Sequence, residues 1–178
     1  MANVTCTIEK EIGKISVGDS TWTKELNLVK WNNYDPKYDI RNWYTGHEKC
    51  GKGVTLTSIE LEKLAYALKR DIDKIEKVYS TKKVGYENGR VKCLLCCELE
   101  KLSPIDKGWV IELNIIRWGN NDQCFDIRYW NEDKTRTGKG VTLSKEEALN
   151  LLALYKSINP SFNNKTIKAK DPGGIFID

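Results

Sequence analysis

The chain carries a single histidine in 178 residues, so the commonest general base is almost missing from it. No apolar run approaches the roughly 20 residues that a membrane helix needs, and the first residues lack the apolar block of a signal peptide. These absences lead to the expectation of a soluble cytoplasmic protein with no membrane partner, nucleoid-associated if the source is bacterial. Neither sign of charge dominates: 29 Lys and Arg against 25 Asp and Glu leave +4, which permits an anionic partner without demanding one. A second ligand pair for zinc is missing too. Three of the six cysteines lie in "CLLCC", Cys93 to Cys97, and the remaining Cys6, Cys50, Cys124 and His47 do not complete a tetrahedral set. The cysteines are therefore read as small buried residues in a reducing compartment, with no metal and no cofactor.

What the chain does have is a sentence written twice. "DIRNWYTGHEKCGKGVTL" starts at Asp39 and "DIRYWNEDKTRTGKGVTL" at Asp126, an offset of 126 − 39 = 87. Without any gap, the same offset lays Trp22 on Trp109, Glu25-Leu26-Asn27 on Glu112-Leu113-Asn114, and Lys30-Trp31 on Arg117-Trp118. Such self-similarity marks a duplicated structural unit. The expected division is 1–79 for the first unit, 80–90 for a linker, 91–159 for the second unit and 160–178 for a tail. Units this small are near the lower limit for folding alone, so the two are expected to share a core.

Each unit reads as strands followed by a helix. In "TCTIEKEIGKIS", Cys6, Ile8, Ile12 and Ile15 alternate imperfectly with polar residues. "TKELNLVKW" alternates more cleanly, and "NNYDP" supplies a turn before "KYDIRNW". "KGVTL" is a short strand whose glycines allow a bulge or bend. Thr57-x-x-Glu60 and Ser144-x-x-Glu147 are capping boxes in front of apolar residues at helical spacing. The first helix is expected to run towards Tyr79, and the second to stop at Asn159-Pro160. The fold class is thus α+β: two tandem ββββα units with curved antiparallel sheets, each backed by its helix.

Strand parity then sorts the faces. Leu26, Leu28, Tyr38 and Ile40, and in the second unit Leu113, Ile115, Phe125 and Ile127, are expected under the helices. That leaves Trp31, Lys37, Arg41 and Trp43, with Trp118, Arg128 and Trp130, on the outer faces. Aromatic rings beside cations suit single-stranded nucleic acid, whose bases stack on Trp while Lys and Arg meet the phosphates. Trp22 and Trp109 sit beside a turn and read more as packing residues.

The run "WTKELNLVKWNNYDPKYDIRNW…HEKCGKGVTLT" strongly resembles the bacterial YdbC-type branch of the transcriptional positive-cofactor-four family. The likeness is close from Thr5 to about Leu68 and looser from about Lys92 to Tyr155. It implies small ββββα chains that pair and bind single-stranded DNA with little sequence preference. Carried over, it implies DNA-facing aromatics at Trp31, Trp43, Trp118 and Trp130. The implied basic positions are Lys30, Arg41, Lys52, Arg117, Arg128 and Lys139, with Lys37 in the first unit only. Its counterpart is Cys124, and Pro36 becomes Gln123, so the second unit has lost a cation and a stiff loop. Because both units lie in one chain, the expected assembly is a monomer with internal two-fold pseudo-symmetry, an intramolecular pseudo-dimer.

Other readings carry less. Gly-Lys-Gly-Val-Thr is not a Walker loop, which needs G-x-x-x-x-G-K-[ST] opening a helix. No nucleophile, base and orienting group repeat together, so the chain is not expected to be an enzyme. Asp39 and Asp126 read as partners of Arg41 and Arg128, and Glu25 and Glu112 as partners of nearby cations. Single-stranded RNA and a protein partner for the aromatic face remain as alternatives. The tail "SFNNKTIKAKDPGGIFID" reads as a segment without fixed order or as one that docks on another protein.

Overall fold

The computed structural model describes residues 5–16, 20–87 and 90–164. In the first unit β1 (Cys6–Lys14), β2 (Trp22–Trp31), β3 (Lys37–Tyr44) and β4 (Cys50–Leu56) form a four-stranded antiparallel sheet in sequential order. Helix α1 (Ser58–Asp71) follows and tightens into a 3-10 turn over Ile72–Glu76, short of the expected Tyr79. The second unit has β6 (Arg90–Lys101), β7 (Trp109–Trp118), β8 (Gln123–Asn131), β9 (Thr137–Leu143) and α2 (Lys145–Ile158). It also gains a strand. Residues expected to be mostly linker form β5 (Lys82–Glu87), which pairs with β6 and makes this sheet five-stranded.

The imperfect alternation of the first strand has a local cause. Register shifts fall between Ile8 and Lys10 and between Glu11 and Gly13, and recur 87 residues on between Leu95 and Cys97 and between Glu98 and Glu100. Each bulge adds twist and bends the strand, so both sheets curl around their helix. A third bulge falls at Arg41/Trp43 and at Arg128/Trp130, opposite the Gly-Lys-Gly stretches.

Both capping boxes form. Glu60 N donates to Thr57 Oγ1 at 3.3 Å while Thr57 N donates to Glu60 Oε2 at 2.7 Å. Ser144 and Glu147 repeat the exchange at 3.1 and 3.0 Å. These bonds satisfy amides that helix geometry leaves without partners. Helix α2 stops at Asn159, whose backbone has left the helical region (φ −135°, ψ 78°), as a following proline favours.

One apolar cluster spans both units. It joins Leu26, Ile40, Val54 and Leu56 with Leu64 and Leu68 of α1, and Leu113, Ile115, Phe125 and Ile127 with Leu151 and Tyr155 of α2. Each buried aliphatic side chain contributes roughly 1.5–3 kcal/mol, and units this small gain by sharing them. Leu28 and Tyr38 are only half-buried. Phe162, assigned by sequence to the tail, is fully buried against Tyr66 and Tyr155 at ring distances of 4.8 and 5.0 Å. The proposed docking role of the "GGIFID" tail lies outside the described residues. Among the described residues no helix is long and apolar enough to cross a membrane.

The units are also pinned by polar contacts. Lys24 Nζ donates to the Thr142 carbonyl and to Glu147 Oε2, both at 2.7 Å, and is almost wholly buried. Gln123, which replaces a proline, donates from Nε2 to the carbonyl oxygens of Ile75 and Lys77. The lost stiff loop has become a clamp on the segment after α1.

Candidate nucleic-acid interface

On the outer face of each sheet the repeated residues build the same constellation. Arg41 pairs with Asp39 through Nε to Oδ1 and through a second nitrogen to Oδ2 at 2.6 Å. Asp39 is fully buried and takes two further donors, Thr55 Oγ1 at 3.1 Å and Trp31 Nε1 at 3.3 Å. Burial opposes the charge on Arg41, but the hydrogen bonds and charge of Asp39 outweigh it and hold the guanidinium above its ordinary pKa. The guanidinium carbon lies over the Trp31 ring, within cation–π range of its centroid.

The second unit repeats the design with fewer bonds. Arg128 Nε donates to Asp126 Oδ1 at 2.6 Å, and Arg128 stacks over Trp118. Here, among the described residues, Asp126 Oδ2 and Trp118 Nε1 are both buried and lack a hydrogen bond of good geometry, although the indole still favours the nearby carboxylate. Burial, only partly offset by Arg128, raises the Asp126 pKa to about 6.

Between the two sheets, where edge strands β4 and β9 approach each other, runs a groove of about 700 Å³. It is lined by Arg41 and Lys52 from one unit and by Trp118, Arg128 and Lys139 from the other. The Gly-Lys-Gly stretches bring each edge strand close to the arginine of the strand beside it. A methyl on Gly53 would overlap Arg41 Cβ and the Ile40 carbonyl, and one on Gly140 would overlap Arg128 Cβ and the Ile127 carbonyl. Lys92 also lines the groove and was not singled out by sequence; its counterpart is Thr5, so comparing the units hides it.

Two expected stacking platforms are corrected. Trp43 and Trp130 lie on the predicted face but are only 1% and 0% exposed. Each is covered by the side chain at the same repeat position, His47 edge-on at 5.3 Å and Lys134 at 5.8 Å. Both covering residues hold a left-handed backbone, φ 61° and 56°, and both are tied down by the repeated glutamates: His47 to Glu25 at 2.8 Å, Lys134 to Glu112. Trp130 is further packed by Val84 of β5. The remaining candidates do not line the groove: Trp31 lies against Arg41, Lys37 is exposed at the start of β3, and Lys30 and Arg117 alternate to the opposite sheet face from their neighbouring tryptophans. Trp22, expected to pack, is 41% exposed and meets Tyr44 edge-on.

The cysteines divide. Cys93 is buried, but Cys6 and Cys50 are exposed, and Cys50 Sγ lies 3.9 Å from an Arg41 nitrogen. They are not all core residues as expected. Among the described residues no three His, Cys, Asp or Glu side chains cluster closely enough to hold a metal ion.

Comparison with known proteins agrees with the duplication. The family model described as Transcriptional Coactivator p15 (PC4) matches the chain twice, over residues 19–67 and 105–154. An uncharacterized protein of Treponema pallidum (strain Nichols) is 41% identical over 58 residues, covering 33% of this chain and 68% of its own length.

Proposed function

The chain belongs to the Transcriptional Coactivator p15 (PC4) family, and on that premise we propose that it binds single-stranded DNA along the groove between β4 and β9. The observation that carries this reading is the convergence of Arg41, Lys52, Arg128 and Lys139 on one surface beside Trp118. Four cations spaced along a groove match the phosphates of a flexible strand, and the Trp31–Arg41 and Trp118–Arg128 stacks offer flat surfaces to its bases. A duplex hides its base faces and gains only the phosphate contacts. The two units act as the halves of an intramolecular pseudo-dimer of the YdbC type. The process served is transcription or a neighbouring step of DNA metabolism.

The test is a titration of labelled oligo-dT and a matched duplex across a series of salt concentrations. Four phosphate contacts give a slope of about −3 in log K against log salt, at about −0.7 per contact on a single strand. Substituting Lys52 and Lys139 together by Ala should roughly halve that slope. Weak binding that ignores salt and the double variant would overturn this reading and point to a protein partner; equal binding of an RNA oligomer would extend it to RNA.

A further inference from the structure

Beside the groove lies a second cavity, of about 460 Å³, at a place where the units differ: its wall residues Ile111 and Tyr129 stand where the first unit has Lys24 and Asn42. In the first unit Lys24 reaches the start of the other unit's helix and satisfies Glu147. Its counterpart 87 residues on is Ile111, and the counterpart of Glu147 is Glu60. Ile111 is apolar and cannot donate to Glu60, so the contact that Lys24 makes with Glu147 has no equivalent here. Trp109, Ile111 and Tyr129 give it apolar walls, and Glu60 lines it together with Asp106, Lys107 and Ser103. One Glu60 oxygen, Oε2, accepts the Thr57 amide, while Oε1 takes no hydrogen bond among the described residues. Gly138 and Lys139 line this cavity and the groove alike, so the two adjoin at β9.

Resting on the nucleic-acid reading above, we propose that this cavity is a base-selecting subsite that takes one nucleobase turned out of the bound strand and favours guanine. The first unit shows what this position accepts: Glu147 there binds a hydrogen-bond donor carrying positive charge. A strand lying in the groove offers donors only on its base edges. Guanine presents two adjacent donors, N1–H and the N2 amino group, to a carboxylate. Cytosine and adenine present one amino group, and thymine one N–H flanked by two carbonyl oxygens that a carboxylate repels. Aromatic walls suit an unstacked base read on its Watson–Crick edge. Lys139, at the boundary, meets the phosphate of the turned nucleotide.

The experiment compares oligo-dT with the same oligomer carrying one central dG, dA or dC, for the wild type and for Ile111→Lys and Glu60→Gln. Ile111→Lys copies the first unit and fills the cavity; Glu60→Gln keeps a capping-box residue and removes the carboxylate. The expected result is at least about fivefold tighter binding of the dG oligomer, the low end for two good base contacts. That gain should vanish in Ile111→Lys and shrink in Glu60→Gln, with oligo-dT binding retained by both. If all four oligomers bind alike, the subsite is overturned and the nucleic-acid reading stands. A dG gain that survives both variants belongs to stacking in the groove and also overturns the subsite. If none of the oligomers binds, the nucleic-acid reading itself fails.

Discussion

The guanidinium carbon of Arg41 stands 4.3 Å from the centroid of the Trp31 ring. Arg128 and Trp118 repeat the relationship at 4.5 Å, so in both units the face that would receive a base already carries a cation. An incoming base stacks on the outer side of the planar guanidinium or displaces it, and in either case Arg and Trp act as one platform. Lysine has the charge but no plane. We therefore expect Arg41→Lys/Arg128→Lys to weaken oligo-dT binding about tenfold despite unchanged net charge, comparable to the loss of one stacked base. Trp31→Ala/Trp118→Ala should cost more. Equal affinity of the lysine variant and the wild type, measured by anisotropy, would reduce the arginines to point charges.

Asp126 makes stability depend on pH in an unusual direction for a carboxylate. Its folded pKa, about 6, lies above the ordinary value of 3.8 because of burial. A carboxyl raised on folding contributes stability that is fully present below about pH 4 and is lost as pH rises through 6. Asp126→Asn mimics the protonated form. The variant should therefore gain on the wild type as pH goes from 4.5 to 7.5, read from urea midpoints at each pH. A constant difference across that range would mean that the carboxyl is not perturbed.

Lys24 joins the units through a pair whose side chains are only 11% and 16% exposed. Removing one partner of a buried pair leaves the other uncompensated, so Lys24→Ala should cost roughly 3 kcal/mol. Because the two units share one core, unfolding should remain a single transition, and light scattering should give a mass near 20.4 kDa. Two separated melting transitions, or a mass near twice that value, would contradict internal pairing.

Gly53 and Gly140 are fixed by the close approach of β4 and β9 to the arginines across from them. An added methyl at either position overlaps backbone as well as side chain. Gly53→Ala and Gly140→Ala should each cost about 1–3 kcal/mol by overpacking. They should also weaken DNA binding beyond any loss of folded protein, because the arginine must move.

Thiol chemistry should separate the cysteines. Burial pushes Cys93 and Cys124 up to about 12, so both stay protonated and inert near neutral pH. Cys6 and Cys50 are exposed and should take a maleimide reagent first, with Cys93 and Cys124 labelled only on unfolding; mass spectrometry of digested samples reads the order. Saturating oligo-dT should slow labelling of Cys50, which lies beside Arg41.

The elements that local pattern specifies were legible in the sequence. Thr57, Glu60, Ser144 and Glu147 announce their helices through chemistry confined to one turn. The parity of Leu26, Ile40, Leu113 and Ile127 assigns the core face, and the Asp39–Arg41 and Asp126–Arg128 pairs follow from spacing on one strand. Parity tells which side of a sheet a residue occupies, but not whether another segment lies over it. Parity therefore places Trp43 and Trp130 on an outer face without revealing their covers, a left-handed loop residue in each unit and, for Trp130, a strand from the linker. Lys24 occupies an inner position by parity, yet its charge argues for the surface until its acceptors on the other unit are known. "KKVGYE" carries too little apolar alternation to announce a strand and becomes one by pairing with β6.

That added strand has a consequence for direction. A surface with true two-fold symmetry offers a nucleic-acid strand the same energy whichever way its 5′ end points. Here, among the described residues, one sheet has four strands and the other gains β5, and Ile111 and Tyr129 stand where the first unit has Lys24 and Asn42. On the proposed reading the two directions of threading would be inequivalent, and a bound strand would have a preferred polarity that no pair of identical chains could impose.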